Sequence, residues 1–261
     1  MNVIFAIASV VLTEMIRRKD FYVLFFLTAL ITLFMGFSVN FFHDANIVRY
    51  LKEICLLLIW ICSLVVAIGT TARQLPSEKE QRTIFPLLAK PVTRAQLIVG
   101  KFLGCWLACG LALVAFYLFF GMVAASKEHT FPVGSYFEAM TLHWAALAVV
   151  VALALLGSIV LSAPSANATI CFVVVLGILW VGMHLNKVAL KAGGLVGTAL
   201  YAVYYLIPHL EWAYSVRDLV IHNKSMPEIG WWFLAMLYYG AYTAVFLFAS
   251  WLMFRRRALT T

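Results

Sequence analysis

Glu78, Glu80 and Arg82 lie at every second position of a charged stretch, residues 74–101, in a chain that is otherwise mostly apolar. This stretch, QLPSEKEQRTIFPLLAKPVTRAQLIVGK, lies between two apolar runs that are each long enough to cross a bilayer. It is therefore expected to face water, where its charges either remain solvated or form charge-assisted hydrogen bonds with a partner. The chemistry that these residues offer is binding rather than catalysis. From the charges alone, a solvated loop is the simpler interpretation.

No catalytic or metal-binding motif accompanies these charges in the sequence. The histidines lack ligand spacing such as i, i+4 and are interpreted as neutral side chains near the membrane boundary, with a metal or haem role as the alternative. The cysteines are odd in number and are interpreted as small core residues. The histidines are His43, His129, His143, His184, His209 and His222, and the cysteines are Cys55, Cys62, Cys105, Cys109 and Cys171.

The composition is that of an all-α integral membrane protein. Of the 261 residues, 64% are hydrophobic and 11% are charged, and the mean hydropathy is +0.97. The apolar runs are continuous and about 20 residues long, as helices that cross a membrane require, whereas a barrel would show short alternating strands. Glu138 and Glu211 are expected outside the apolar core, which argues against a proton-coupled carrier. The net charge of +8 is attributed to membrane topology and not to nucleic acid.

A single transmembrane domain, residues 1–261, with six spans is predicted. The spans are roughly residues 21–42, 54–72, 97–125, 142–161, 168–185 and 231–254. Before them, residues 1–20 are expected to form an interfacial helix on the cytoplasmic face. Six spans place both termini on the side of the charged stretch. That side carries twelve of the 19 lysines and arginines but four of the 11 acidic residues, which is the positive-inside pattern of a cytoplasmic surface.

Two capping patterns predict a short helix inside the cytoplasmic loop, residues 74–97. Ser77 and Glu80 have the spacing of a capping box, which predicts a helix start at Ser77. Pro91 disfavours helix at the residue before it and marks the end of this short helix. Thr93 and Gln96 repeat the capping pattern at the start of the third span.

The long outer segment, residues 186–230, contains a further apolar run. Residues 195–207 number about 13, which is short for a span, and Pro208 follows them. Counting this run as a span would also carry the terminal arginines to the outside. We therefore expect an outer helix that is either interfacial or re-entrant, with tyrosines suited to the headgroup boundary.

The charged stretch resembles the signature of ABC type-2 export permeases, the membrane subunits of ATP-binding-cassette exporters. The pattern E-x-E-x-R-T-I-x-x-L-L-A-K-P-V-x-R followed by G-K is met by Glu78–Ile84, Leu87–Val92, Arg94 and Gly100–Lys101. The predicted layout of an N-terminal interfacial helix, six spans and a basic C-terminus is also similar to that family. The pattern identifies the family but not the substrate.

The resemblance implies that residues 78–88 form a coupling helix that docks on a separate ATPase subunit. The implied docking residues are Glu78, Glu80, Arg82, Thr83, Ile84, Leu87 and Leu88, with Ser77, Pro91, Arg94 and Lys101 as loop structure or anchors. A second cytoplasmic contact would be formed by Pro164, Ser165 and Asn167. For Arg94 and Lys101, ordinary positive-inside anchors at the end of a span are the alternative.

The resemblance also implies the partners. The permease would pair with a second copy, identical or related, and with two ATPase subunits. No G-x-x-x-x-G-K-[ST] sequence occurs, so ATP and Mg would be held by the partner chains and this chain would carry no cofactor and no catalytic residue. The expected function is export of a substrate from the cytoplasm or inner leaflet across a bacterial cytoplasmic membrane. The alternatives are an ion-coupled carrier, another polytopic membrane protein or an intramembrane enzyme.

Overall fold

The computed structural model describes residues 3–17, 19–38, 47–80, 92–128, 133–161, 163–192, 194–222 and 229–256, and these are helical apart from short turns. Nine helices occur within these ranges: α1 Val3–Arg17, α2 Lys19–Ser38, α3 Ile47–Glu80, α4 Arg94–Glu128, α5 Val133–Val160, α6 Pro164–Ala192, α7 Gly194–Leu206, α8 Glu211–Ile221 and α9 Ile229–Arg256. No strand occurs in the described ranges, so the all-α prediction is confirmed.

Five of the described helices are long and apolar enough to cross a membrane. Their apolar parts are Val48–Pro76, Arg94–Lys127, Val133–Val160, Pro164–Gly182 and Ile229–Arg256, which match the second to sixth predicted spans. The first predicted span falls on α2, whose apolar part, Tyr22–Phe34, is shorter. The last residues of that predicted span lie outside the described residues. The total of six spans therefore stays a prediction.

Helix α5 lies at the centre of the bundle, where it packs against α3, α4, α6, α8 and α9. Two thirds of its most apolar window, 67%, is buried by protein. Many of its buried residues are small, among them Ala145, Ala146, Ala152 and Ala154. Small side chains let helix backbones approach closely, and close packing is a main source of helix association in membranes. Helix α5 is therefore the scaffold on which the other helices are placed.

Helix α1 confirms the expected N-terminal helix. It buries Ala8, Val11 and Met15, and it packs mainly against α4. An Ala8 backbone oxygen and the Val11 side chain lie beside Gly104 of α4. The position of α1 along a membrane surface stays a prediction.

The outer segment forms a helical hairpin. Helix α6 turns at Gly194, whose φ of +57° favours glycine, and α7 packs back along α6. After Pro208 the chain reverses into α8, which packs against α5 and α3 and which the sequence pattern did not predict. The turn contacts Tyr238, nine residues after the start of α9 at Ile229, or about 14 Å along that helix. Whether this hairpin is re-entrant or interfacial stays a prediction.

Candidate partner-docking site

Helix α3 continues beyond its apolar part into the charged stretch. It extends to Glu80 with Pro76 inside the helix, although a proline removes one backbone hydrogen bond and disfavours a helix interior. The predicted helix start at Ser77 is therefore wrong, because residues 77–80 form the last turn of α3. The capping pattern describes local hydrogen bonds only. Here, contacts with a neighbouring helix favour the continuation of α3 past Ser77.

Those contacts are made by Lys101 of α4. Its Nζ donates hydrogen bonds to Gln74 Oε1 at 2.9 Å and to Glu78 Oε1 at 2.5 Å. Gln74 and Glu78 are four residues apart and so lie on one face of α3. Lys101 is 5% exposed and the Glu78 side chain 18%, so removal of either partner would leave a poorly solvated charge. Lys101 thus fixes the end of α3 to α4.

This geometry changes the expectation for Glu78. One of its carboxylate oxygens is bound by Lys101 of the same chain, so Glu78 has an internal role whether or not it also meets a partner. The side chains of Ser77 and Glu80 lie outside the described part of the structure. The other predicted docking and loop residues are outside the described ranges altogether: Arg82, Thr83, Ile84, Leu87, Leu88 and Pro91. Their docking role stays a prediction.

The second capping box is confirmed. The Thr93 backbone N–H donates to Gln96 Oε1 at 2.9 Å, and the Gln96 backbone N–H donates to Thr93 Oγ1 at 3.3 Å. Helix α4 begins at Arg94, directly after the capping threonine. This reciprocal pair satisfies two backbone donors that a helix start leaves free.

Arg94 binds the end of the last span. Its Nη1 donates to the carbonyl oxygens of Phe254 at 2.8 Å and Arg255 at 2.9 Å. The last carbonyls of a helix have no partner within the helix, and a cation is favourable at that end. The guanidinium also lies 5.6 Å from the centre of the Phe254 ring. Arg94 is therefore an anchor between α4 and α9, and not only a charge at the membrane surface.

Two of the three residues of the predicted second cytoplasmic contact are accessible in the structure, and the third is buried. Helix α5 ends at Val160 and α6 begins at Pro164, a residue well suited to the first helical position. Ser165 is exposed and Pro164 partly exposed, so both are accessible to a partner. Asn167 is fully buried, and its Nδ2 donates to the Ala154 carbonyl oxygen at 3.0 Å. Its prediction as a surface contact is wrong, because the side chain joins α6 to α5.

Three tyrosines of α9 that sequence reasoning missed bind the turn between α7 and α8 and the residues beside it. Tyr239 Oη accepts from the Ala213 N–H at 3.1 Å and donates to the His209 carbonyl oxygen at 2.9 Å. Tyr238 Oη accepts from the His209 N–H at 3.1 Å, and Tyr242 Oη donates to the Tyr205 carbonyl oxygen at 3.2 Å. Non-helical backbone that is buried in protein needs such internal partners. The sequence feature that could have indicated these tyrosines is their Tyr-Tyr-x-x-Tyr spacing, which places the hydroxyl groups on one helix face.

The turn also buries a carboxylate, which corrects the prediction for Glu211. Glu211 is 8% exposed and lies 3.3 Å from His209 Nδ1. A side chain at Gly182 of α6 would collide with the Glu211 carboxylate and displace it, so this carboxylate lies directly against α6. Burial, together with Glu211 and Tyr205 nearby, raises the pKa of Tyr204. The apolar pattern missed this site because Glu211 follows the short hairpin turn, and neighbours that are distant in the chain, such as Gly182 of α6, lie against its carboxylate.

The histidines are not all at the boundary. His143 is buried inside the bundle, where its Nε2 lies 2.9 Å from Ser63 Oγ, and His209 is buried beside Glu211. His184 and His222 are exposed as expected. His43 and His129 lie outside the described residues. In the part of the chain that the structure describes, no three potential ligands are grouped to hold a metal ion.

The comparisons with known proteins bear on the whole chain. A family model described as "ABC-2 family transporter protein" matches residues 5–259. The match includes the charged stretch and the outer hairpin, and it covers the described helices apart from the first two residues of α1. No curated protein matches the chain significantly.

Proposed function

The chain belongs to the ABC-2 family of transporter proteins, and we propose that it is the permease subunit of an ATP-driven exporter. In this proposal, two permease chains form the path through a bacterial cytoplasmic membrane, with all termini in the cytoplasm. Two separate ATPase subunits hold ATP and Mg and dock on residues 74–97. Their closure moves substrate out of the cytoplasm or the inner leaflet.

The contact between Lys101 and Glu78 carries the proposal of coupling. A force applied to the segment after Glu80 would act directly on the last turn of α3. Because Lys101 joins that turn to α4, and Arg94 joins α4 to the end of α9, the force would reach three membrane helices at once. A rigid connection of this kind is what transmission of a partner's motion requires, since a solvated flexible loop would absorb it.

Charge reversal tests the docking without disturbing the internal contact. Glu80→Lys combined with Arg82→Glu reverses two of the predicted docking charges and leaves Gln74, Glu78 and Lys101, which form the internal contact, unchanged. We expect the variant to insert into the membrane and to have the native free energy of unfolding. Its co-purification with the ATPase should fall at least about tenfold, which corresponds to about 1.4 kcal/mol of binding free energy.

The matched control is Arg256→Gln, which removes an exposed charge from the same end of the molecule. We expect it to retain the ATPase. Unchanged co-purification and transport in the double charge-reversal variant would contradict the docking proposal. Transport by the permease alone, driven by an ion gradient without ATP, would favour the ion-coupled carrier instead.

A further inference from the structure

Arg217 places a guanidinium inside the bundle at the end opposite the charged stretch. It belongs to α8, the returning limb of the outer hairpin, which packs against α3 and α5. Its side chain is 11% exposed, and its Cζ lies 3.8 Å from the centre of the Tyr214 ring. A charged side chain within a membrane protein is costly, and such residues generally mark a functional site.

The hydrogen-bonding capacity of this guanidinium is largely unused. Arg217 Nε and Nη1 are buried and have no hydrogen-bond acceptor among the residues that the structure describes. The carboxylate of Asp218 lies 3.8 Å from Nε, too far for a hydrogen bond, and its side chain is 62% exposed. An ion pair with so exposed a partner contributes little. The buried donors therefore lack the anionic acceptor that would offset their desolvation.

Trp60 of α3 has a second buried donor, and it reaches the same tyrosine ring as Arg217. Trp60 is 3% exposed, and within the described ranges its Nε1 also has no acceptor. Its ring stacks on His143 at 4.8 Å and 7°. The same ring lies 5.7 Å from the ring of Tyr214, over which Arg217 is placed. Arg217 and Trp60 thus both contact the Tyr214 ring, and both have N–H groups that lack an acceptor among the described residues.

A second cation, Lys52 of α3, also favours the binding of an anion near Arg217. Lys52 of α3 is fully buried and donates from Nζ to the Val220 carbonyl oxygen, 3.3 Å away, at the end of α8. The charge of Arg217 acts electrostatically on Tyr117 of α4, so α4 also borders this region. Lys52 thus binds α8 within one turn of Arg217 along that helix. Both cations contribute a positive potential in surroundings that screen it weakly.

We propose that Arg217 and Trp60 form an oxyanion-binding site that takes the phosphate group of a ligand. A guanidinium presents paired N–H groups that match two phosphate oxygens, and the indole N–H would donate to a further oxygen. The phosphate could belong to a lipid headgroup or be free in solution, since the chemistry of recognition is the same. The site concerns this chain alone and does not depend on its coupling to an ATPase.

Binding to the purified full-length permease tests this site. In native mass spectrometry, the probes are dioleoyl phosphatidylglycerol and dioleoylglycerol, which share acyl chains and differ in the phosphate headgroup. A separate titration uses inorganic phosphate and follows Trp fluorescence. We expect the native chain to bind at least one phosphate probe and to prefer phosphatidylglycerol over dioleoylglycerol if the source is lipid. Arg217→Gln should weaken that binding at least about tenfold, because it removes charge-assisted hydrogen bonds.

Three further variants make the result specific. Arg49→Gln removes an exposed arginine from the same end of α3 and should leave binding unchanged. Arg217→Lys keeps the charge but not the paired N–H groups, so it should fold as the native chain does and bind less tightly. Trp60→Phe keeps an aromatic ring against His143 and should weaken binding severalfold.

Binding of phosphatidylglycerol alone would assign the site to a lipid headgroup, and binding of inorganic phosphate would assign it to the free anion. The proposal would be overturned if Arg217→Lys and Arg217→Gln bound each phosphate probe as tightly as the native chain does. It would also be overturned if the native chain bound neither phosphate probe.

Discussion

Lys101 Nζ lies 2.5 Å from Glu78 Oε1 and thereby joins α4 to a part of α3 that local sequence patterns assign to a separate helix. The two residues are 23 positions apart in the chain. Their contact explains why α3 continues past Pro76. It also means that the segment proposed to meet the ATPase is connected directly to the membrane helices.

Removal of Lys101 should destabilise the permease. Lys101→Met leaves the Glu78 carboxylate poorly solvated and without its cation, which costs about 3 kcal/mol for a buried pair. The combined variant Lys101→Met, Glu78→Met should be destabilised less, because no charge is then left uncompensated. Equilibrium unfolding in mixed micelles measures both values. Lys191→Met, at an exposed lysine of α6, is the control, and a combined variant less stable than the single one would contradict this account.

Arg94 should stabilise the end of α9 selectively. Arg94→Gln removes the charge and weakens the bonds to the Phe254 and Arg255 carbonyl oxygens, which are each worth about 1.5–3 kcal/mol as hydrogen bonds from a charged group. We expect faster amide hydrogen exchange in residues 250–256 than in the native chain. Arg256→Gln, an exposed charge on the same helix end, should leave this exchange unchanged. Equal exchange in all three proteins would show that Arg94 does not hold α9.

Gly157 should be intolerant of any side chain. Its position on α5 faces the Asn167 amide, and a Cβ there would collide with Asn167 Oδ1. Gly157→Ala is therefore expected to destabilise the bundle by about 1–3 kcal/mol through overpacking. Gly177→Ala on α6, where a Cβ would meet no atom within 4 Å, should be neutral or stabilising by up to about 1 kcal/mol. The free energies of unfolding of Gly157→Ala and Gly177→Ala test this difference, and equal effects of the two substitutions would contradict it.

Tyr239 should be required for the turn between α7 and α8. Tyr239→Phe keeps the ring but leaves the Ala213 N–H without its acceptor, at a cost of about 1–3 kcal/mol. The His209 carbonyl oxygen loses one of two donors and keeps the Trp212 N–H at 3.2 Å. The local result should be faster hydrogen exchange in residues 207–213. Tyr205→Phe removes a hydroxyl from a tyrosine that is 70% exposed. It should change neither the stability of the permease nor the hydrogen exchange of residues 207–213. Native exchange in the Tyr239 variant would mean that the turn is held by other contacts.

Several features of the molecule follow from residues that are close in sequence. Long apolar runs predict the membrane helices, because every backbone group in a lipid environment must be bonded within the helix. The Thr93–Gln96 capping box was predicted correctly because both of its hydrogen bonds lie within one turn. The family signature is likewise a local pattern of residues, and the family match over residues 5–259 agrees with it.

The sequence by itself therefore determined the helical class, the membrane environment, the start of α4 and the family. Only the tertiary structure decided that α3 extends to Glu80, that Asn167 and Glu211 are buried, and that Arg94 binds the end of α9. Each of these depends on a partner that is distant in the chain. Hydropathy and capping patterns describe interactions within a few residues, whereas burial and long-range hydrogen bonds arise only when the helices are packed.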